Sequence, residues 1–160
     1  MKTTIKSQLF RMDLHKSLSH ELGHYFVALH YNESPSIVIW RSGTSNQSGE
    51  RTVLGSCSYA WKTPFQRSCV GWAGEIATII FESSDISDEE LFASVLEQWE
   101  ESREDFSITD VEAINTYRVP TRSLKKAIAI LSDNAETLRA KVGELSGRFE
   151  KERLERLQFP

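Results

Sequence analysis

The 160-residue chain has no run of the ~20 apolar residues that a membrane-spanning helix needs. Its longest apolar stretches are Cys69 to Phe81, interrupted by Glu75, and Ala127 to Leu131. It also lacks a surplus of positive charge. Lys and Arg number 19 against 23 Asp and Glu, a formal net charge of −4, so nothing is left over to neutralise a phosphate backbone and nucleic acid is not expected as a partner. Cysteine is limited to two, too few for a disulfide-stapled scaffold. Cys57 and Cys69 read instead as small buried apolar residues in a reducing compartment. The opening MKTTIKSQLF has a lysine but no apolar core of about 7–15 residues and no small-residue cleavage site, so it does not read as a secretory signal. The expectation is a cytoplasmic protein without a membrane segment.

What is present is the balance of a folded protein: 39% hydrophobic, 10% aromatic and 26% charged residues. The length suits one core, so a single domain over residues 1–160 is expected. From Asp13 to Tyr31 the residues Leu14, Leu18, Leu22, Phe26 and Leu29 recur at helical spacing, with Asp13 as the capping residue. The β-branched and aromatic run Ser36 to Trp40 predicts a strand. Thr52 to Leu54 and Ser56 to Trp61 predict two further extended pieces, beyond a polar loop over 41–50. Pro64 opens a second helix, running from about Phe65 to Phe81. Gly71 and Gly74 lie inside it, each costing about 1 kcal/mol relative to Ala, which predicts that another backbone comes close there. Helices are expected at Asp88 to Glu101, Thr109 to Arg118, Arg122 to Lys141 and Gly147 to Leu157. The fold class is α+β, mainly helical, with a small two- to three-stranded sheet.

One motif carries chemistry. The first helix contains His20-Glu21-Leu22-Gly23-His24, the H-E-x-x-H pattern. Four residues turn a helix through about 400°, so both imidazoles share one face and can hold a single ion. Glu21, about 100° round from His20, lies beside that ion as a base for an attacking water. On the wheel, Leu18, Leu22, Phe26 and Leu29 fall opposite the histidines, which aims the imidazoles into a cleft. Zinc is the expected cofactor, and a site with three protein ligands leaves a position open for water.

Several residues compete to be the third ligand. His30 follows His24 by six residues, as in the metzincin pattern, but Val27 replaces the turn-making Gly, so a continuous helix would carry His30 about 15 Å along its axis from His20. Asp110, in the first turn of a predicted helix, is the best placed acid. Asp105, Asp88 and Asp85 are weaker alternatives.

HELGHYFVALHYNESPSIVIW, followed by CVGWAGEIATIIF, resembles the peptidase domain of FtsH-type zinc metalloproteases, and more closely the small FtsH-peptidase-like proteins without an ATPase module. The resemblance covers roughly Leu14 to Tyr117. It implies a zincin-like helix bundle in which His20 and His24 are zinc ligands, Glu21 is the catalytic base and an Asp at a later helix start is the third ligand. Ser107 to Ala113 is the nearest match to the family's Asp segment, so Asp110 receives that role. Thr78 stands where the family usually has Glu, and the acidic helix 88–101 lengthens the spacing to Asp110. The implied activity is hydrolysis of peptide bonds in a polypeptide substrate, met already unfolded or brought by a delivery partner, with a homo-oligomer also open. ImmA-like repressor-cleaving peptidases, whose zinc helix often reads HELGH too, would draw a Glu ligand from the next helix, here Glu75. A degenerate, non-catalytic zinc-binding module is the remaining alternative.

Overall fold

The computed structural model describes residues 5–43 and 52–160. The order is α1 (Ile5–His30), β1 (Ser36–Arg41), β2 (Val53–Ser58), α2 (Pro64–Glu82), α3 (Asp88–Glu101), a 3-10 turn (Arg103–Asp105), α4 (Ile108–Asn115), α5 (Pro120–Asp133), α6 (Ala135–Lys151) and β3 (Arg156–Phe159). This is the mainly helical α+β class, with a three-stranded antiparallel sheet ordered β2-β1-β3. Among the described residues no helix is long and apolar enough to cross a membrane.

α1 is the central element. Leu14, Leu18 and Leu22 are fully buried, yet so are Ser19 and Gly23, and Glu21 and His24 nearly so. The wheel expectation of one apolar face is thus only half of the arrangement: α2 and β2 cover the histidine side, while Leu29, at the helix end, is 47% exposed. Gly23 explains how α2 gets so close, because a Cβ there would run into the Ala73 carbonyl and lie 2.5 Å from Ala77 Cβ. Asp13 does not cap the helix, which extends back at least to Ile5. Its carboxylate instead accepts hydrogen bonds from Thr52 N (3.0 Å) and Oγ1 (2.9 Å), fastening the start of β2 to α1. The extra turns were hidden because Ile5, Leu9 and Met12 point to solvent and break the buried pattern.

The sheet closes one side of the core with Ile37, Ile39, Val53 and Leu157. β2 is a single strand through Gly55, not two pieces, and pairs Ile39 with Gly55 and Arg41 with Val53. From residue 44 to 51 the expected loop lies outside the described residues.

α2 begins as predicted, with Thr63 accepting from Gln66 N (3.2 Å) and Pro64 in the first turn. Ser87 and Glu90 form a reciprocal cap on α3, whose limits match the expectation. Two helical expectations fail in the C-terminal half. The segment Arg122 to Lys141 is broken at Asn134, which caps α5 by donating to Ile130 O (2.7 Å); the apolar spacing runs on through Leu131 and Leu138 and conceals the break. The final helix stops at Lys151, where Arg153 takes φ +51° and Leu154 N bonds Phe149 O (3.0 Å). No glycine marks this left-handed stop, as one usually does. The chain then reverses into β3, pairing Ile39 with Leu157.

Candidate metal centre

His20 and His24 project from α1 toward the N-terminal end of α4, and three features of the fold bring Asp110 to them. Gly71 on α2 lets α4 sit close, since a Cβ there would lie 2.9 Å from Ala113 Cβ and 3.0 Å from Ile114 N. Ser68 Oγ, one turn earlier, donates to Ile114 O (2.8 Å). Phe106 anchors the approach to α4 by packing edge-on against Trp72 and Trp99, with ring centroids 6.0 and 5.2 Å away. Ser107 caps α4, accepting from Asp110 N (3.1 Å). The cap is therefore supplied by Ser107, and the Asp110 carboxylate is free to face the histidines.

The three side chains meet at short distances. His20 Nε2 lies 3.1 Å from His24 Nε2 and 3.2 Å from Asp110 Oδ2, and His24 Nε2 lies 3.4 Å from Asp110 Oδ1. Together they form a group able to hold a metal ion, its candidate ligand atoms all within 4.8 Å of one another. For zinc–ligand bonds of about 2.0–2.1 Å, the edge of a tetrahedron is ~3.3 Å, so the donor set fits that ion in spacing as well as in chemistry.

The imidazoles are oriented from behind. His24 Nδ1 is 2.6 Å from Val70 O; a carbonyl can only accept, so Nδ1 carries the proton and Nε2 is the nitrogen offered to the cleft. On the far side of His20, Nδ1 faces Glu75 Oε1 at 3.7 Å, and Glu75 is itself held by Gln98 (3.1 Å). Burial by itself lowers the His24 pKa, but the charge of Asp110 and the bond to it outweigh burial and push it up to about 9. The same contacts act in reverse on Asp110: burial favours its neutral form, yet His24 and His20 hold its carboxyl far below the usual range.

Glycine shapes the site at two points. A Cβ on Gly74 would lie 2.5 Å from His20 Nε2 and 2.7 Å from its Nδ1. The close approach predicted at Gly74 is thus made by an imidazole; at Gly71 a backbone does come close. A Cβ on Gly55 would lie 2.6 Å from Glu21 Cγ, so the Glu21 side chain lies against the bare backbone of β2. The Glu21 carboxylate lines the cleft and has no hydrogen-bond partner among the described residues.

The other candidates lie elsewhere. His30 is exposed at the end of α1, with its ring against Tyr31. Asp85 is exposed in the turn before α3, and Asp88 accepts from Ser132 Oγ (2.6 Å) in the first turn of that helix. Asp105 sits on the cleft rim, exposed, without joining the histidines. Cys69 is buried, but Cys57 is only half-buried and lines the cleft, a correction that follows from its place on an edge strand. Burial, then the charges of Glu21 and Asp110, push the Cys57 thiol well up, so it stays protonated. Tyr59 and Arg67, which the sequence did not single out, also line this cleft of about 600 Å³. Thr78 turns back to Gly74 O (3.0 Å) within its own helix.

Comparison with protein-family models and with curated proteins found no match for this chain. The reading of the site rests on its residues.

Proposed function

We propose that the protein is a zinc-dependent peptidase that hydrolyses peptide bonds in extended polypeptide chains. The observation that carries this reading is the convergence of His20 Nε2, His24 Nε2 and the Asp110 carboxylate at 3.1–3.4 Å, with Glu21 opening onto the same cleft. Zinc, held by those three residues, would supply Lewis acidity, lowering the pKa of water toward ~7 and polarising a carbonyl. Glu21 takes the proton of the water that attacks the substrate carbonyl and then gives it to the departing amine. Val70 O and Glu75 keep the imidazoles turned toward the cleft.

β2 is an edge strand of the sheet, and its edge, which pairs with no other described strand, borders the cleft at Gly55, Ser56 and Cys57. An extended peptide can pair with that edge, which aligns its backbone past Glu21. A folded substrate could not present such a strand, so the protein acts on chains already unfolded or delivered by a partner. Glu75 faces His20 Nδ1, whereas the metal-facing nitrogen is Nε2; this favours Asp110 over the Glu-ligand arrangement of ImmA-like peptidases.

The test separates metal binding from catalysis. Purified protein should hold one equivalent of zinc, lose it in His24→Ala and keep it in Glu21→Gln. Casein cleavage should fall about 10²–10⁴-fold in Glu21→Gln. Retained zinc with no cleavage of casein or any unfolded peptide by the unsubstituted protein would instead establish a non-catalytic zinc-binding module.

A further inference from the structure

The cleft has two chemically different ends. α1 and α2 run antiparallel beside it, with His20 against Gly74 and His24 against Val70, so earlier residues of α2 lie toward the His24 end. β2 runs in the same sense as α1: Ser17 donates to Val53 O, and Glu21 packs on Gly55. Tyr59 and Arg67 therefore belong to the His24 end, and Glu75 to the His20 end. Glu21, Glu75, Glu104, Asp105 and Asp110 make the lining acidic, and among the described residues Arg67 is the one lysine or arginine on it.

Arg67 forms no ion pair with any described residue, unlike Arg11, Arg41 and Arg148, which each have a carboxylate partner. Its guanidinium rests over the Trp61 ring, 5.0 Å from the centroid. Tyr59 is half-buried, and its hydroxyl has no hydrogen-bond partner among the described residues. Burial first, then the charge of Asp110, pushes the Tyr59 pKa up to about 12, with Arg67 opposing, so the phenol remains a proton donor.

We propose that Arg67 and Tyr59 form a subsite for one carboxylate of the bound peptide, either an Asp or Glu side chain or the peptide's own C-terminal carboxylate. A guanidinium offers a planar fork that matches a carboxylate bidentately, and the phenol adds a third donor. Stacking on Trp61 holds the fork in place, so less side-chain freedom is lost on binding. Glu21, Glu75, Glu104 and Asp105 on the lining repel acidic groups, so a substrate carboxylate finds its cationic side-chain partner at Arg67. The proposal rests on the peptidase reading for the peptide it places in the cleft.

The experiment uses the Glu21→Gln protein with zinc, which binds without cleaving, and four fluorescein-labelled hexapeptides: an internal Glu or Gln, each with a free or amidated C-terminus. Fluorescence anisotropy should show one carboxylate form binding about tenfold more tightly than its amide, and whether the internal or the terminal carboxylate makes the difference identifies the source. The added change Arg67→Gln should abolish the preference, Arg67→Lys should keep part of it, and Tyr59→Phe should weaken it. Circular dichroism melts of the Arg67 variants report folding separately. Equal binding of all four peptides, no binding of any, or a preference that survives Arg67→Gln would overturn the subsite. A preserved preference with no cleavage by the unsubstituted protein would overturn the peptidase reading and leave the subsite standing.

Discussion

Gly74 and His20 are matched as void and filler: the imidazole occupies the space where a Cβ on Gly74 would stand, 2.5 Å from Nε2. A glycine inside α2 is otherwise a liability of about 1 kcal/mol relative to alanine, and here it makes room for a ring of the candidate metal centre.

Replacing Gly74 by Ala therefore sets two effects against each other. Helix propensity alone would stabilise the protein by about 1 kcal/mol, but the new methyl must displace the His20 ring. The expected outcome is a small change in melting temperature together with a loss of zinc affinity of about 10–100-fold, the scale seen when the support of a ligating histidine is disturbed. Chelator competition and thermal melts measure the two separately. Unchanged zinc affinity would mean that His20 is not a ligand in this rotamer.

The third ligand can be tested against its rivals. Asp110→Asn should lower zinc affinity by several orders of magnitude, because it removes both the charge and a donor atom of a three-residue set. Asp105→Asn, Asp88→Asn and Asp85→Asn should leave affinity within about twofold, since all three are exposed and apart from the histidines. Glu75→Gln should fall between, at roughly 10-fold, as expected for a group that orients His20 from behind. A larger loss in Glu75→Gln than in Asp110→Asn would exchange their roles.

The metal-free protein should show a definite pH dependence. His24 has its pKa raised from 6.5 to about 9, while Asp110 has its pKa lowered from 3.8. Stability from the raised group is complete below pH 6.5 and is lost as pH rises through about 9. Stability from the lowered group is present above pH 3.8 and is lost as pH falls below it. Both describe one interaction, so in the metal-free protein the His24–Asp110 pair should contribute most between pH 3.8 and 6.5, and that contribution should fade toward pH 9. Zinc needs neutral His24, so its apparent affinity should climb roughly tenfold per pH unit up to about 9. Melts of metal-free protein and of Asp110→Asn at pH 6 and pH 9 check the first point: in the variant the difference between the two pH values should shrink.

The motif helix was legible because its information is local: the spacing of His20, Glu21 and His24 on a helix fixes which way the three side chains point. Asp110 was legible at one remove, through its place in the first turn of a predicted helix; that Ser107 supplies the cap and leaves the carboxylate free is seen only in the fold. Glu75 was visible as an acid near the site, but whether it faces Nδ1 or Nε2 of His20 depends on the antiparallel packing of α1 on α2, which no local pattern encodes. The contact of Gly55 with Glu21 was hidden for the same reason, since the two lie on different elements. β3 was hidden because the chain turns at Arg153 in a left-handed conformation that sequence usually marks with glycine. Apolar spacing likewise ran unbroken across Asn134, and read as one helix where the structure has two.

The aromatic wedge at Phe106 gives a way to separate folding from site geometry. Phe106 is 4% exposed and packs against both Trp72 and Trp99, one turn before Asp110; Phe149 is fully buried, in α6, away from the cleft. Cutting either to Ala removes a similar buried volume and should cost about 3–5 kcal/mol. Only the Phe106 change loosens the approach to α4 and with it the Asp110 carboxylate. Phe106→Ala should therefore weaken zinc binding at a temperature where both variants remain folded, whereas Phe149→Ala should leave it unchanged. Equal zinc affinities in the two variants, measured by chelator competition alongside urea unfolding, would show that Asp110 is held by the Ser107 cap and Gly71 alone.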